Sequence, residues 1–146
     1  MIVKSIGNTG QFLRPFEYSM ITNPEVFGRF GASAGSRFGV QIGVTYRVMG
    51  IFIAQEYQGY SVDDGGYIQT VPCQLFEILD NSIPSDWKFS VLDLKNPYYP
   101  LLQAVFGYEE LVSDPLAIEK LIGDMEETAC RIYFRKKLAY EQEEME

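Results

Sequence analysis

From Val40 to Val48 the chain alternates apolar residues (Val40, Ile42, Val44, Tyr46, Val48) with Gln41, Gly43, Thr45 and Arg47. A period of two turns successive side chains to opposite faces of an extended backbone, so this stretch predicts a half-buried strand, not an amphipathic helix. The phase slips at Met49-Gly50, because Ile51 and Ile53 sit on odd positions; Phe52 and Ala54 then make the end apolar on both faces. A glycine at a change of phase marks a β-bulge or sharp bend, the device by which a sheet curls. Whatever this chain folds into must bend a sheet there.

Downstream the punctuation is regular. Tyr57–Val62 reads as the next strand, and Asp63-Asp64-Gly65-Gly66 supplies Asp-Gly hairpin chemistry. Tyr67–Val71 returns and Pro72 ends the pairing. Leu75–Leu79 and Trp87–Leu92 are two more short strands, parted by the turn at residues 80–86, with Trp87, Phe89 and Val91 expected to alternate into the core. Five strands with tight turns over residues 40–92 predict a small, strongly bent antiparallel sheet or an SH3-like barrel.

The texture then changes to helix. After the loop Asn96-Pro97-Tyr98-Tyr99-Pro100, Leu101–Phe106 reads as a helical turn before Gly107. Ser113-Asp114-Pro115 is a helix start, a capping Asp followed by Pro at the first helical position. Leu116, Ile118, Leu121, Ile122 and Met125 follow; Gly123 either stops this helix, with Asp124 capping another, or is passed through. Later, Ala129, Ile132, Tyr133 and Lys136 mark one face and Cys130, Phe134 and Leu138 a second. Glu126 and Glu127 precede Arg131, Arg135, Lys136 and Lys137, the order a helix dipole favours. The tail Glu141–Glu146 is expected to fray. With an irregular Gly-rich segment at residues 1–39, a β core at 40–92 and a helical part at 98–142, the 146 residues read as one α+β domain.

For chemistry, the chain contains no histidine. That excludes Ser-His-Asp and Cys-His nucleophile systems and His-containing zinc sites. Cys73 and Cys130 are too few for a thiolate metal site, and free thiols are expected because a chain of this size needs no staple. Neither the Walker nor the dinucleotide pattern occurs, and Asp63-Asp64 lacks the calcium-loop spacing, so no cofactor and no metal are expected. Asp80, Asp86 and Asp93 bracket the Trp87 strand, but so short a chain leaves little room for a paired-carboxylate cleft. The reading is not an enzyme.

Charge says more. Twelve Lys and Arg stand against 20 Asp and Glu, a net of −8 that divides into +3 over residues 1–54 and −11 over residues 55–146. An acidic surface repels phosphate backbones and anionic lipid, which argues against nucleic acid and membrane as partners. The ten Tyr and ten Phe would need basic neighbours to serve as base-stacking platforms. No stretch has the length of a membrane span and Met1–Ile6 lacks a signal core, so a cytoplasmic protein is expected. The charge either keeps the protein in solution or steers a basic protein partner.

The leading expectation is therefore an interaction module, of the immunity or antitoxin kind, that masks a basic partner. Tyr98 and Tyr99, held between prolines, would anchor it, and Asp63, Asp64, Glu109 and Glu110 would steer it. A second expectation is an assembly subunit, monomer or small homo-oligomer, that uses sheet edges and the C-terminal helix. A third is an anion or small-molecule binder at Gly28–Gly43, a backbone nest aided by Arg29 and Arg37.

Overall fold

The computed structural model describes residues 1–144; Met145 and Glu146, and with them the end of the tail expected to fray, lie outside the described residues. The strands are β1 (Ile2–Ser5), β2 (Thr45–Arg47), β3 (Gly50–Ala54), β4 (Gln58–Asp63), β5 (Ile68–Pro72), β6 (Phe76–Asp80), β7 (Lys88–Val91) and β8 (Leu102–Gly107). The helices are α1 (Gly10–Leu13), α2 (Glu109–Ser113) and α3 (Glu127–Glu144), with a π-helical turn at Glu119–Gly123. All pairing is antiparallel, in a three-stranded sheet ordered β2-β1-β6 and a five-stranded sheet ordered β5-β4-β3-β8-β7. The protein is α+β, with antiparallel sheets followed by the C-terminal helix. The SH3-like alternative is not realised: among the described residues neither sheet closes into a barrel, because each keeps two edge strands.

The phase slip at Met49-Gly50 is where the chain crosses from one sheet to the other. Val48 donates its N–H to the Met1 carbonyl beside β1, whereas Met49 donates to Ser61 in β4. Both side chains are buried, at 1% and 0% exposure, since each faces a different neighbour across the bend. Tyr46 and Phe76 of the smaller sheet meet edge-to-face at 6.1 Å, and Phe76 lies 5.9 Å from Tyr60 of the larger. These rings join the sheets. Helices α2 and α3 pack on the other face of the larger sheet, where Gly50 and Gly107 are cross-strand partners. A Cβ on either would come within 2.6 or 2.8 Å of Leu111 Cδ2, so both glycines make room for α2.

Five expectations need correction. The strand does not run from Val40: residues 41–44 form a turn closed by Val44 N–H to Gln41 O, with Gly43 at φ +89°. Ile42 and Val44 consequently lie exposed, and only Thr45–Arg47 pairs. Leu101–Phe106 is no helical turn; β8 runs through it between β3 and β7, and a short apolar run does not distinguish the two by period. The N-terminal segment is not wholly irregular, because β1 is the middle strand of the smaller sheet. Trp87 is in the core at 7% exposure, but Phe89 and Val91 are out of it at 57% and 73%. In α3 the buried residues are Tyr133 and Tyr140, while Leu138 faces outward.

Candidate functional site

Two of the hollows among the described residues touch the residues singled out by the sequence, Asp63 with Asp64 and Tyr98. The more polar one, about 520 Å³, lies between β2, the β4–β5 hairpin and α3. Asp63, at the end of β4, accepts hydrogen bonds from Tyr133 Oη (2.8 Å), Lys137 Nζ (2.9 Å) and the Gly65 N–H (2.8 Å). Burial is the main cause that raises the Tyr133 phenol pKa, followed by the Asp63 charge. Nearby, Arg47 is paired with Glu144. Asp63 with Lys137, and Arg47 with Glu144, thus satisfy one another and clamp α3 to the sheets. Asp63 is only 5% exposed and has no free face to steer a partner, contrary to expectation. Asp64 is exposed but holds its own turn, accepting from the Gly66 and Tyr67 N–H groups, which lower its carboxyl pKa.

The second hollow is an apolar groove of about 300 Å³ on the helix-covered face of the larger sheet. Phe52, Ala54 and Thr70 line it from the sheet, Ile122 from the π-helical turn and Ile118 from the residue before it, and Tyr57, Tyr98, Leu101 and Leu102 lie around it. Gly59 keeps it open, since a Cβ there would come within 2.8 Å of Thr70 Cγ2. Thr70 Oγ1 is buried without a hydrogen-bond partner among the described residues.

Tyr98 is placed by its own loop. Its N–H donates to Asn96 Oδ1 (2.9 Å), and its carbonyl accepts from Leu102 as β8 begins. The half-buried ring lies against the groove, and its hydroxyl donates to Glu119 Oε2 (3.1 Å). Desolvation raises the Tyr98 pKa first, then the bond to Glu119 and the charges of Glu119 and Asp124. Neighbouring Lys120 is engaged with Asp114 at 2.8 Å, which raises the lysine pKa and lowers that of the carboxyl. Among the described residues no Lys or Arg pairs with Glu119 or Asp124.

The expected steering set is therefore dispersed. Tyr99, at 36% exposure, lies further out than Tyr98. Glu109 and Glu110 are exposed in the first turn of α2, and no hydrogen bond or ion pair among the described residues ties them to the tyrosine loop. Sequence reasoning missed Glu119, Asp124 and Tyr57 as site residues. The usable signal was the i, i+4 pair Ile118 and Ile122, with acids interleaved at 119 and 124.

The Gly28–Gly43 segment does not present an open anion nest. Glu17, whose side chain is 5% exposed, accepts the Arg29 N–H (2.8 Å) and packs against Gly28. The loop is thus closed on a carboxylate of the chain itself. The Arg29 guanidinium stacks on Tyr18 (4.5 Å) and Phe30 (4.7 Å), whereas Arg37 is exposed at an isolated bridge to Thr9. Among the bracketing acids, Asp80 caps Ser82 and Asp93 caps Lys95 within their own turns, whereas Asp86 is held by Tyr140 and Lys136 of α3. Cys73 and Cys130 are both free and half-buried. No helix of the described residues is long and apolar enough to cross a membrane. Set against protein-family models, curated proteins and solved structures, the chain matches none.

Proposed function

We propose that this protein is an interaction module that takes a basic segment of a partner protein into the groove beside Tyr98, in the manner of an immunity or antitoxin protein masking its target. The observation that carries this reading is the pair of carboxylates, Glu119 and Asp124, beside an apolar groove and without a cation of the protein's own. A groove lined by Phe52, Tyr57 and Ile118 suits one apolar side chain. Carboxylates next to it favour Lys or Arg flanking that side chain, through steering and register more than raw affinity. Tyr98 presents an apolar ring and a polar tip together, the combination enriched at interface hot spots. Relative to the sequence expectation the anchor is narrowed to Tyr98, and the steering acids become Glu119 and Asp124.

The test is capture from native extract on immobilised wild-type protein and on three variants: Tyr98→Ala, Leu101→Asp, and the double charge reversal Glu119→Lys with Asp124→Lys. A basic protein retained by the wild type, released at high salt and lost by all three is the expected result, since screening weakens charges at an interface rim. An acidic partner, or one retained by all three variants, would refute the reading.

A further inference from the structure

We infer that β7 is a docking edge for a second copy of this chain, pairing antiparallel with its own counterpart about a two-fold axis through Ser90. The backbone states the need. Leu92 donates its N–H to Gln103 O at 2.9 Å, which places the residues 88, 90 and 92 in the hydrogen-bonded positions toward β8. In an antiparallel ladder these alternate with residues whose groups point away, so the N–H and C=O of Phe89 and Val91 face outward.

The side chains agree. Phe89 (57%) and Val91 (73%) are exposed, and Ile53 (36%) continues the same face through Ala104, its partner and that of Val91. An apolar strip that ends at an unpaired edge is a template for another strand. With the axis at Ser90, Phe89 of one copy lies opposite Val91 of the other. Both pairs then exchange the outward-facing hydrogen bonds, and the apolar strip continues across the junction. This is an isologous contact, which closes and does not propagate.

Charge selects this edge and its occupant. The chain carries −8, yet around β7 Lys88 and Lys95 offset Asp86 and Asp93, and Asp86 is already joined to Lys136. The exposed Glu109 and Glu110 of α2, which packs beside β7, leave a small acidic excess, still less repulsive between two copies than an edge that carries acids and no base. The edge of β6 also exposes Ile78 and Leu79, but it carries Glu77 and Asp80 and no base, so self-pairing there sets acid near acid. The β5 edge is met by the loop at Gly39, whose N–H donates to Gln69 Oε1. β2 is held near α3 by Arg47 and Glu144. Because the groove lies on the opposite face of the sheet, a dimer leaves it open on both copies.

The register makes a sharp test. Ser90 and its symmetry mate form a non-hydrogen-bonded pair, with Cα atoms about 4.5 Å apart, inside the ~4.4–6.8 Å range a disulfide spans. Ser90→Cys is therefore expected to give a covalent dimer on mild oxidation, while Lys88→Cys, opposite Leu92, and the wild type with its Cys73 and Cys130 do not. Sedimentation of the wild type is expected to show mass doubling between about 1 µM and 1 mM, as a short, transient-class interface would. Val91→Pro removes an outward N–H and no ladder bond, so it should stay folded by circular dichroism and remain monomeric. If it unfolds, Phe89→Glu with Val91→Glu replaces it as the monomeric variant. A wild type that is monomeric throughout, a dimer that survives both edge variants, or cross-linking at Lys88→Cys equal to that at Ser90→Cys would each overturn the inference.

Discussion

Removing the Asp63 carboxylate would strip an acceptor from Tyr133, Lys137 and Gly65 at once, inside a site where the Asp63 side chain is 1% exposed. A buried donor left without its acceptor costs more than the bond contributes when made, and half of a broken buried ion pair costs more again. Asp63→Ala is therefore expected to lower stability by about 3 kcal/mol, and Tyr133→Phe by about 1–2 kcal/mol, in urea unfolding. A loss below about 1 kcal/mol for Asp63→Ala would show that the clamp is decorative. The tyrosines also give a pH dependence. Burial, the main cause, raises the phenols of Tyr108, Tyr133 and Tyr140 above their ordinary value. A raised folded-state pKa means that the unfolded chain releases its proton first. The stabilisation is thus complete below about pH 10 and is lost as pH rises beyond it. Tyr108→Phe should make the alkaline loss of stability shallower by about 1.4 kcal/mol per pH unit above pH 10, measured by unfolding at a series of pH values.

The packing of α2 on the larger sheet depends on two absent side chains. Leu111 is 3% exposed and its Cδ2 occupies the space that a Cβ at Gly50 or Gly107 would need. Gly50→Ala is expected to cost about 1–3 kcal/mol by overpacking. Leu111→Ala should cost about 2–5 kcal/mol by leaving a cavity. In the double variant the new methyl enters that cavity, so the sum should fall short of additivity by more than about 0.5 kcal/mol. Full additivity would mean that Leu111 shifts freely and that α2 is not seated by the glycine pair. The same logic shows why α3 eluded pattern reading. Its contacts to the body include Tyr133 and Lys137 on Asp63, and Lys136 and Tyr140 on Asp86. No continuous apolar stripe marks the buried side of such a helix.

One hydrophobic cluster joins both sheets and the helices, from Val3 and Tyr46 through Tyr60 and Val105 to Leu121 and Tyr140. A shared core predicts one cooperative transition. Trp87, buried against Phe106 at 5.1 Å, reports on the larger sheet, whereas far-ultraviolet circular dichroism reports on the whole backbone. The two probes should give coincident midpoints in urea; separated midpoints would mean that the smaller sheet unfolds on its own. Charge divides the molecule differently. The acids near Tyr98 have no Lys or Arg paired with them among the described residues, those near α3 are consumed in holding it, and those around β7 are offset by lysines. The −11 of residues 55–146 is thus not one uniform field but three environments with separate consequences.

Strand positions between residues 57 and 92 were legible to within a residue or so, because Asp-Gly, Pro and Asn-Ser punctuation acts locally and needs no partner to be read. The bend at Met49-Gly50 was legible for the same reason. Its meaning was not: a change of phase looks the same whether a strand bulges or moves to another sheet, and only the partners Met1 and Ser61 distinguish them. β8 was hidden because an apolar hexamer suits a central strand as well as a helical turn until β3 and β7 flank it. For the candidate site, the sequence offered tyrosines and carboxylates, and the structure places Tyr98 against the apolar groove. Which carboxylate took a cation and which did not was decided by tertiary contacts, Lys137 reaching Asp63 from 74 residues away, and by the local fold that gives Lys120 to Asp114 and leaves Glu119 and Asp124 beside the groove without one. Local sequence governs turns because their energetics lie within four residues; it cannot assign ion pairs or sheet order, since those free energies depend on neighbours that only the folded chain brings together.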